Sequence, residues 1–401
     1  MHLHSDGKLG AKPQAMTTVP LFRLAFRPFF WFASLFSVLA IALWAGFLSG
    51  TLNFSPLGGG HFWHIHEMLF GFTSAIVVGF LLTAVQTWTG KPSIKGYSLM
   101  GLFGLWALAR VLLIFTPPEL ETVSIGIDLI FLPLAAFFLA RPIILVKQWR
   151  NIMFVPILLI MAVLNAVMYL SLYGVIAISY SAISHMMVLM VSLVMCIIGG
   201  RVFPMFTANG TRTEKVAAIP LLETLSIMSI VLVIFSHAFV LSSEVKGFLH
   251  IFAATINFIR ALRWRIWVTF TTPLVWPLHL SYWFMCFGLL GVGLVELGLN
   301  TSISLAYHSI TVGGIGLMVL AMISRVSLGH TGRMIQVGRV MSFAFMIFVI
   351  GVVWRVMFPL FWQHYQMNLI FSAIIWIISY GLFVIKYAKV LFSARIDGRD
   401  G

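Results

Sequence analysis

The stretch that decides the fold is His61-Phe62-Trp63-His64-Ile65-His66-Glu67-Met68-Leu69-Phe70-Gly71-Phe72, and an apolar run continues from it as far as Trp88. Three imidazoles and a carboxylate sit at the mouth of a segment long enough to cross a bilayer, which takes about 20 residues at ~1.5 Å each. On a helix His61, His64 and Glu67 recur at i, i+3 and i+6 and share a stripe. His66 lies about 200° round from His64, so one helix end presents imidazole in two directions. Ionisable groups inside a membrane helix cost roughly 2.5–3.5 kcal/mol each on insertion scales and rarely sit there without a role. An interfacial, hydrogen-bonded cluster at the helix mouth is the plainer alternative.

Composition places the whole chain in the membrane. It is 61% hydrophobic and 9% charged, with a mean hydropathy of +1.03. The net charge of +14 does not point to nucleic acid, because the basic residues are scattered over short loops instead of gathered on one face. Cys196 and Cys286 both lie in apolar runs and supply no disulfide framework, zinc pair or Cys-x-x-Cys-His motif, so any haem is held non-covalently. The first twenty residues lack an apolar core with a small-residue cleavage site. The expectation is a retained first helix rather than a cleaved signal peptide.

The hydropathy pattern predicts an all-α polytopic protein with a single integral membrane domain over 1–401 and 12 transmembrane helices. They fall near 29–49, 64–87, 98–116, 123–140, 152–173, 178–199, 220–241, 246–260, 273–297, 301–324, 339–358 and 367–390, the eighth being the shortest. Pro28, Pro156, Pro220 and Pro273 mark helix starts, where a missing N–H costs little. Of the 25 Lys and Arg, all but Arg110, Lys246 and Arg355 fall in alternate loops or the tails, Arg260 and the residues around His330 among them. By the positive-inside rule both termini are cytoplasmic.

The histidines carry an internal repeat. His66 precedes Gly90 by 24 residues, His185 precedes Gly210 by 25, and His308 precedes Gly332 by 24. Asp128-Leu-Ile-Phe, His250-Ile-Phe and Asn368-Leu-Ile-Phe follow those histidines by 62, 65 and 60 residues. The pattern predicts three four-helix repeats of one orientation, 21–150, 151–265 and 266–395.

Depth groups the polar residues further. His64, His66, Asp128, His185, His250 and His308 are expected in the outer third of the membrane, with His237 at an outer helix end. A layer of imidazoles from several helices is what a metal or haem site inside a bundle requires. A lone histidine on an apolar face is more often a hydrogen-bonded core residue, the plain reading for His237, His250 and His364. His2 and His4 lie in a polar tail, and that pair is expected to bind metal weakly at most. His279, in Trp276-Pro-Leu-His279-Leu-Ser-Tyr282-Trp283, falls in the inner half, and His330 in a cytoplasmic loop with a hydrogen-bonding role or ligation equally open. Arg110 and Asp128 are expected to form a structural ion pair. Met186, Met187, Met190 and Met195 line the sixth helix, as flexible packing or as thioether ligands.

Several motifs then bear a resemblance. Trp63-His64-Ile65-His66-Glu67-Met68-Leu69-Phe70-Gly71-Phe72, with Gly79-Phe-Leu-Leu-Thr83-Ala84 and Trp88-Thr89-Gly90, resembles the first signature of the NnrS family. Ile198-Gly199-Gly200-Arg201-Val202-Phe203-Pro204-Met205-Phe206-Thr207 resembles its second signature, and Ser324-Arg325-Val326-Ser327-Leu328-Gly329-His330-Thr331-Gly332-Arg333 its third. Pro277-Leu278-His279-Leu280-Ser281-Tyr282 fits as well, so the resemblance covers essentially the whole chain. It implies a bacterial inner-membrane protein containing haem b and copper that acts in the response to nitric oxide and nitrosative stress. The arrangement is also similar to the main subunit of haem–copper oxidases, in which helices two and ten hold a haem and helices six and seven help hold copper. With His308 alone on helix ten and only His237 on helix seven, the ligands are too few for two haems and a copper. That analogy transfers no activity.

The resulting expectation is a haem- and copper-binding protein that protects against nitric oxide, by redox conversion of a nitrogen oxide if it turns over. His308 and one of His64 or His66 are the axial candidates. The other, with His185, is the copper candidate, oriented by Glu67 as acceptor. Its partners would be membrane lipid, nitric oxide or a related small molecule and an unidentified electron donor, with no nucleic acid. The alternatives are a membrane transporter or channel, or a haem or metal sensor without turnover.

Overall fold

The computed structural model describes residues 19–115, 117–362 and 364–399. His2, His4, Lys8 and Lys12 lie outside them. Among the described residues there are helices and no strands, and twelve helices are long and apolar enough to cross a membrane. They are α1 (Phe26–Leu48), α2 (Gly59–Thr89), α3 (Tyr97–Phe115), α4 (Pro118–Leu145), α5 (Trp149–Leu172) and α6 (Tyr180–Thr211). The second half comprises α7 (Pro220–Ala238), α8 (Ser243–Val268), α9 (Trp276–Glu296), α10 (Ile303–His330), α11 (Arg339–Leu360) and α12 (Gln366–Phe392).

Short loops make successive helices antiparallel. One end of the bundle thus carries His61, His185 and His308, and the other carries most of the Lys and Arg; these are called the histidine end and the basic end below. The helices α2, α6 and α10 are buried along most of their length and form the centre, with the other nine around them. α1 and α12 close the bundle. The Arg27 guanidinium donates to the carbonyls of Leu391 and Ser393, each at 2.8 Å, and the Trp31 indole to that of Val384 at 2.9 Å. Such bonds matter in a membrane, where lipid tails are as apolar as Leu and helices associate through packing and polar contacts.

Three boundaries differ from those read in the sequence, because hydropathy stops at the first charge whereas backbone hydrogen bonding does not. α8 was expected to be the shortest span, 246–260, with Arg260 in a loop. Its helix runs on through Arg263, and Arg260 is buried within the bundle. α6 continues through Asn209-Gly210 to Thr211. α10 continues to His330, so His330 ends a helix instead of sitting in a loop; its ring packs against Phe26 at 5.6 Å.

Two of the central helices share a departure from α geometry that no sequence period reveals. α2 is α-helical through His66 and then π-helical over Glu67–Thr73, and α10 is α-helical through His308 and then π-helical over Ser309–Gly316. Such wide turns are rare and concentrate at functional sites. Side chains of neighbouring helices take up carbonyls along them. Trp106 donates to Gly71 at 2.9 Å, and the Tyr380 hydroxyl donates to Gly316 at 2.7 Å.

Candidate functional site

Immediately at the start of the π segment of α2 lies a closed network of charges. The Nδ1 of His66 is 2.9 Å from Glu67 Oε1; its Nε2 is 2.9 Å from Asn165 Oδ1 and 3.3 Å from Asp128 Oδ2. Asn165 donates its amide to Asp128 Oδ2 at 2.8 Å, which turns its oxygen towards the imidazole. Every atom facing the ring nitrogens is therefore an acceptor, so both nitrogens donate and the ring is the doubly protonated imidazolium. Arg110, from α3, donates through Nη1 to both Glu67 oxygens at 2.7 Å and through Nη2 to Asp128. The Tyr169 hydroxyl adds a bond to Asp128 at 3.2 Å. All six side chains are buried. Two carboxylates thus meet one guanidinium and one imidazolium, and the group is neutral as a whole, which is the condition for keeping charges out of water.

Glycine makes room for this network. A Cβ on Gly71 would sit 2.7 Å from both Arg110 Nη1 and Glu67 Oε2. Sequence reasoning paired Arg110 with Asp128 and read Glu67 as an acceptor for a metal-bound histidine without joining it to that pair, and it did not find the neutral clamps Asn165 and Tyr169, which come from α5 and carry no spacing signal.

The engagement of both its nitrogens leaves His66 without a free lone pair. His64 points the other way, as the 200° divergence requires, and stacks on Trp44 of α1 with centroids 4.4 Å apart. Its Nδ1 is buried and has no hydrogen-bond partner among the described residues. His308 donates from Nδ1 to the Ser304 carbonyl at 2.7 Å, so its Nε2 presents a bare lone pair. A metal-ligating histidine is usually oriented in this way. His308 lies within electrostatic range of His64, His185 and Arg355. His185 stacks on the Tyr307 ring at 3.6 Å and 6°.

His250 repeats the His308 arrangement, with Nδ1 on the Lys246 carbonyl at 2.8 Å and a buried Nε2 that has no hydrogen-bond partner among the described residues. The His237 ring crosses it at 5.2 Å. Among the described residues no three His, Cys, Asp or Glu side chains converge as a group able to hold a metal ion. The imidazoles with a nitrogen not engaged by the protein include His64 on α2 and His308 on α10.

A second buried charge cluster lies in the middle of the chain. Arg260 of α8 contacts Glu223 through Nη2 and Nε, the latter at 3.1 Å, and its Nη1 donates to the Cys196 carbonyl at 2.9 Å and to the Tyr282 hydroxyl at 3.1 Å. Tyr282 in turn donates to Asn257 at 2.5 Å. The close-approach residue here is Gly200, where a Cβ would collide with the Arg260 guanidinium. Sequence reasoning missed this cluster because Arg260 was counted with the loops. A glycine facing an arginine on another helix is a tertiary relation that spacing along one helix does not record.

Towards the basic end, His279 Nε2 is 2.7 Å from Thr207 Oγ1, and the Arg325 guanidinium lies over the Phe206 ring at 4.0 Å. The motifs around Phe206, His279 and Arg325, which are far apart in the chain, therefore meet in space. Comparison with known families agrees with this convergence, since the family model described as NnrS protein matches residues 20–395. The chain belongs to the NnrS family. The match takes in all twelve spanning helices. Comparison with curated proteins gives no match. Membership of the NnrS family supports a membrane protein of the nitric-oxide response.

Proposed function

We propose that the chain binds haem b and copper at the histidine end of the bundle and protects against nitric oxide by redox conversion of a nitrogen oxide there. The observation that carries the reading is the pair of imidazoles with available nitrogens on α2 and α10, His64 and His308, at the mouths of the two helices that turn π-helical. Bound haem would supply one-electron redox chemistry for the conversion of a nitrogen oxide. His308 would hold the iron through Nε2, its tautomer set by Ser304, and His64 would hold it from α2, kept in orientation by the Trp44 face. His185, braced by Tyr307, would contribute to copper, for which imidazole is a suitable ligand. The His66–Glu67–Arg110–Asp128 network would fix the depth and rotation of α2 without ligating.

The same proposal includes the three four-helix repeats and a haem–copper oxidase-like arrangement. The central positions of α2, α6 and α10, four helices apart, support it. It also places the protein in the bacterial inner membrane with the basic end, and so both termini, in the cytoplasm. The test is the visible spectrum and metal content of the purified protein. A Soret band that His308→Ala removes or shifts, with copper present, is the expected result. A colourless, metal-free protein overturns the reading in favour of a transporter or channel.

A further inference from the structure

An apolar pocket of about 70 Å³, partly open rather than sealed, lies between α2, α6 and α10, with Phe30 of α1 also in its lining. Ile76 and Val77 of α2, Val194 and Met195 of α6, and Met318 and Met322 of α10 form most of its wall. One hydroxyl side chain belongs to the lining, that of Thr73, and it is turned away: it donates to the Met68 carbonyl, within the π segment, at 2.7 Å. The wall is thereby left wholly apolar.

Water needs two to four polar partners to reside in a cavity and finds none here. Apolar cavities of roughly 150 Å³ stay dry and admit xenon or benzene, so about half that volume suits a single xenon atom or a diatomic molecule. The position is regular. The uppermost lining residues, Thr73, Val191 and Ile315, follow His66, His185 and His308 by 7, 6 and 7 residues. At ~1.5 Å per residue, the void begins roughly 10 Å beneath the histidines on all three helices. Three methionines at or near the wall provide a surface that adjusts to an occupant.

We propose that this cavity is a binding site for one small uncharged gas molecule, held about 10 Å deeper in the bundle than His66, His185 and His308. That its natural occupant is nitric oxide rests on the function proposed above; the binding of an apolar gas does not.

Full-length protein carrying ¹³C-methyl methionine in lipid nanodiscs provides the test. Under rising xenon pressure the methyl resonances of Met195, Met318 and Met322 should shift and saturate. Those of the outward-facing Met228 and Met346 should move linearly, as for a gas dissolved in lipid. Nitric oxide, which is paramagnetic, should broaden the same three resonances saturably, and Val194→Phe should abolish both effects while leaving the other methionine signals in place. Linear, unsaturated xenon shifts at all five methionines of the unaltered protein would overturn the site, whatever the variant does. Saturation by xenon without any effect of nitric oxide would overturn the occupant. A missing Soret band would refute the haem reading and leave the xenon result standing, so the two failures are distinct.

Discussion

Arg110→Gln removes the guanidinium that faces both Glu67 and Asp128. What remains is two carboxylates opposite one imidazolium, a net negative charge sealed among α2, α3, α4 and α5. Deleting one partner of a buried ion pair costs about 3–5 kcal/mol, because the other charge stays uncompensated. At about 1.4 kcal/mol per factor of ten, the unfolding equilibrium should move by roughly two to three and a half orders of magnitude. Adding Asp128→Asn restores neutrality, so the double variant should regain more than half of the loss, and the coupling between the two sites should reach the upper part of the roughly 0.5–3 kcal/mol range for residues in contact. Tyr169→Phe is the contrast: it deletes one hydrogen bond and leaves the charges balanced, and such bonds in membrane bundles average about 0.6 kcal/mol. Reversible unfolding of five proteins in mixed micelles, the unaltered chain, Arg110→Gln, Asp128→Asn, their double variant and Tyr169→Phe, followed by tryptophan fluorescence, gives these numbers. A loss below about 1 kcal/mol for Arg110→Gln, or strict additivity with Asp128→Asn, would refute the charge-balance argument.

Three further outcomes are expected. His66→Gln should lower stability yet leave the Soret position unchanged, whereas His64→Ala should shift or abolish the band; the spectra decide which α2 imidazole is a ligand. His185→Ala should reduce bound copper with haem retained, measured by metal analysis. A cysteine introduced by Glu244→Cys should be labelled by an impermeant maleimide from the periplasmic side and one introduced by Asp397→Cys should not, against a low background because Cys196 and Cys286 are buried; the reverse pattern would invert the topology.

The sequence makes the membrane class and the twelve crossings readable, because a bilayer demands about 20 apolar residues per span and tolerates few exceptions. It also shows the Arg110–Asp128 attraction, since two intramembrane charges on adjacent helices have little alternative to meeting. Glu67 was read as an acceptor for a copper-bound histidine, but its neighbours are His66 and Arg110. That difference depends on Asn165 and Tyr169, polar residues of α5 whose partners lie on another helix. Arg260 shows the limit of charge counting: near a helix end, a loop arginine and a buried one look alike until the glycine that admits the guanidinium, Gly200, is placed beside it. The π segments leave no periodic trace, because one extra residue in a wide turn disturbs the apolar pattern no more than a loop boundary does.

The order in which the charged network is synthesised sets a constraint on how the chain enters the membrane. Glu67 and His66 emerge first, Arg110 follows Glu67 by 43 residues, Asp128 follows Arg110 by 18, and Asn165 trails His66 by 99. At about 5–20 residues per second, α2 spends roughly 5–20 s in contact with the insertion machinery or the lipid before its last partner is made. α3 and α4 avoid that delay, since their opposite charges arrive close together and can enter as a neutral hairpin. A nascent chain halted after α4 should therefore hold α2, α3 and α4 together, and one halted before Arg110 should leave α2 crosslinked to the translocation channel instead of released into lipid.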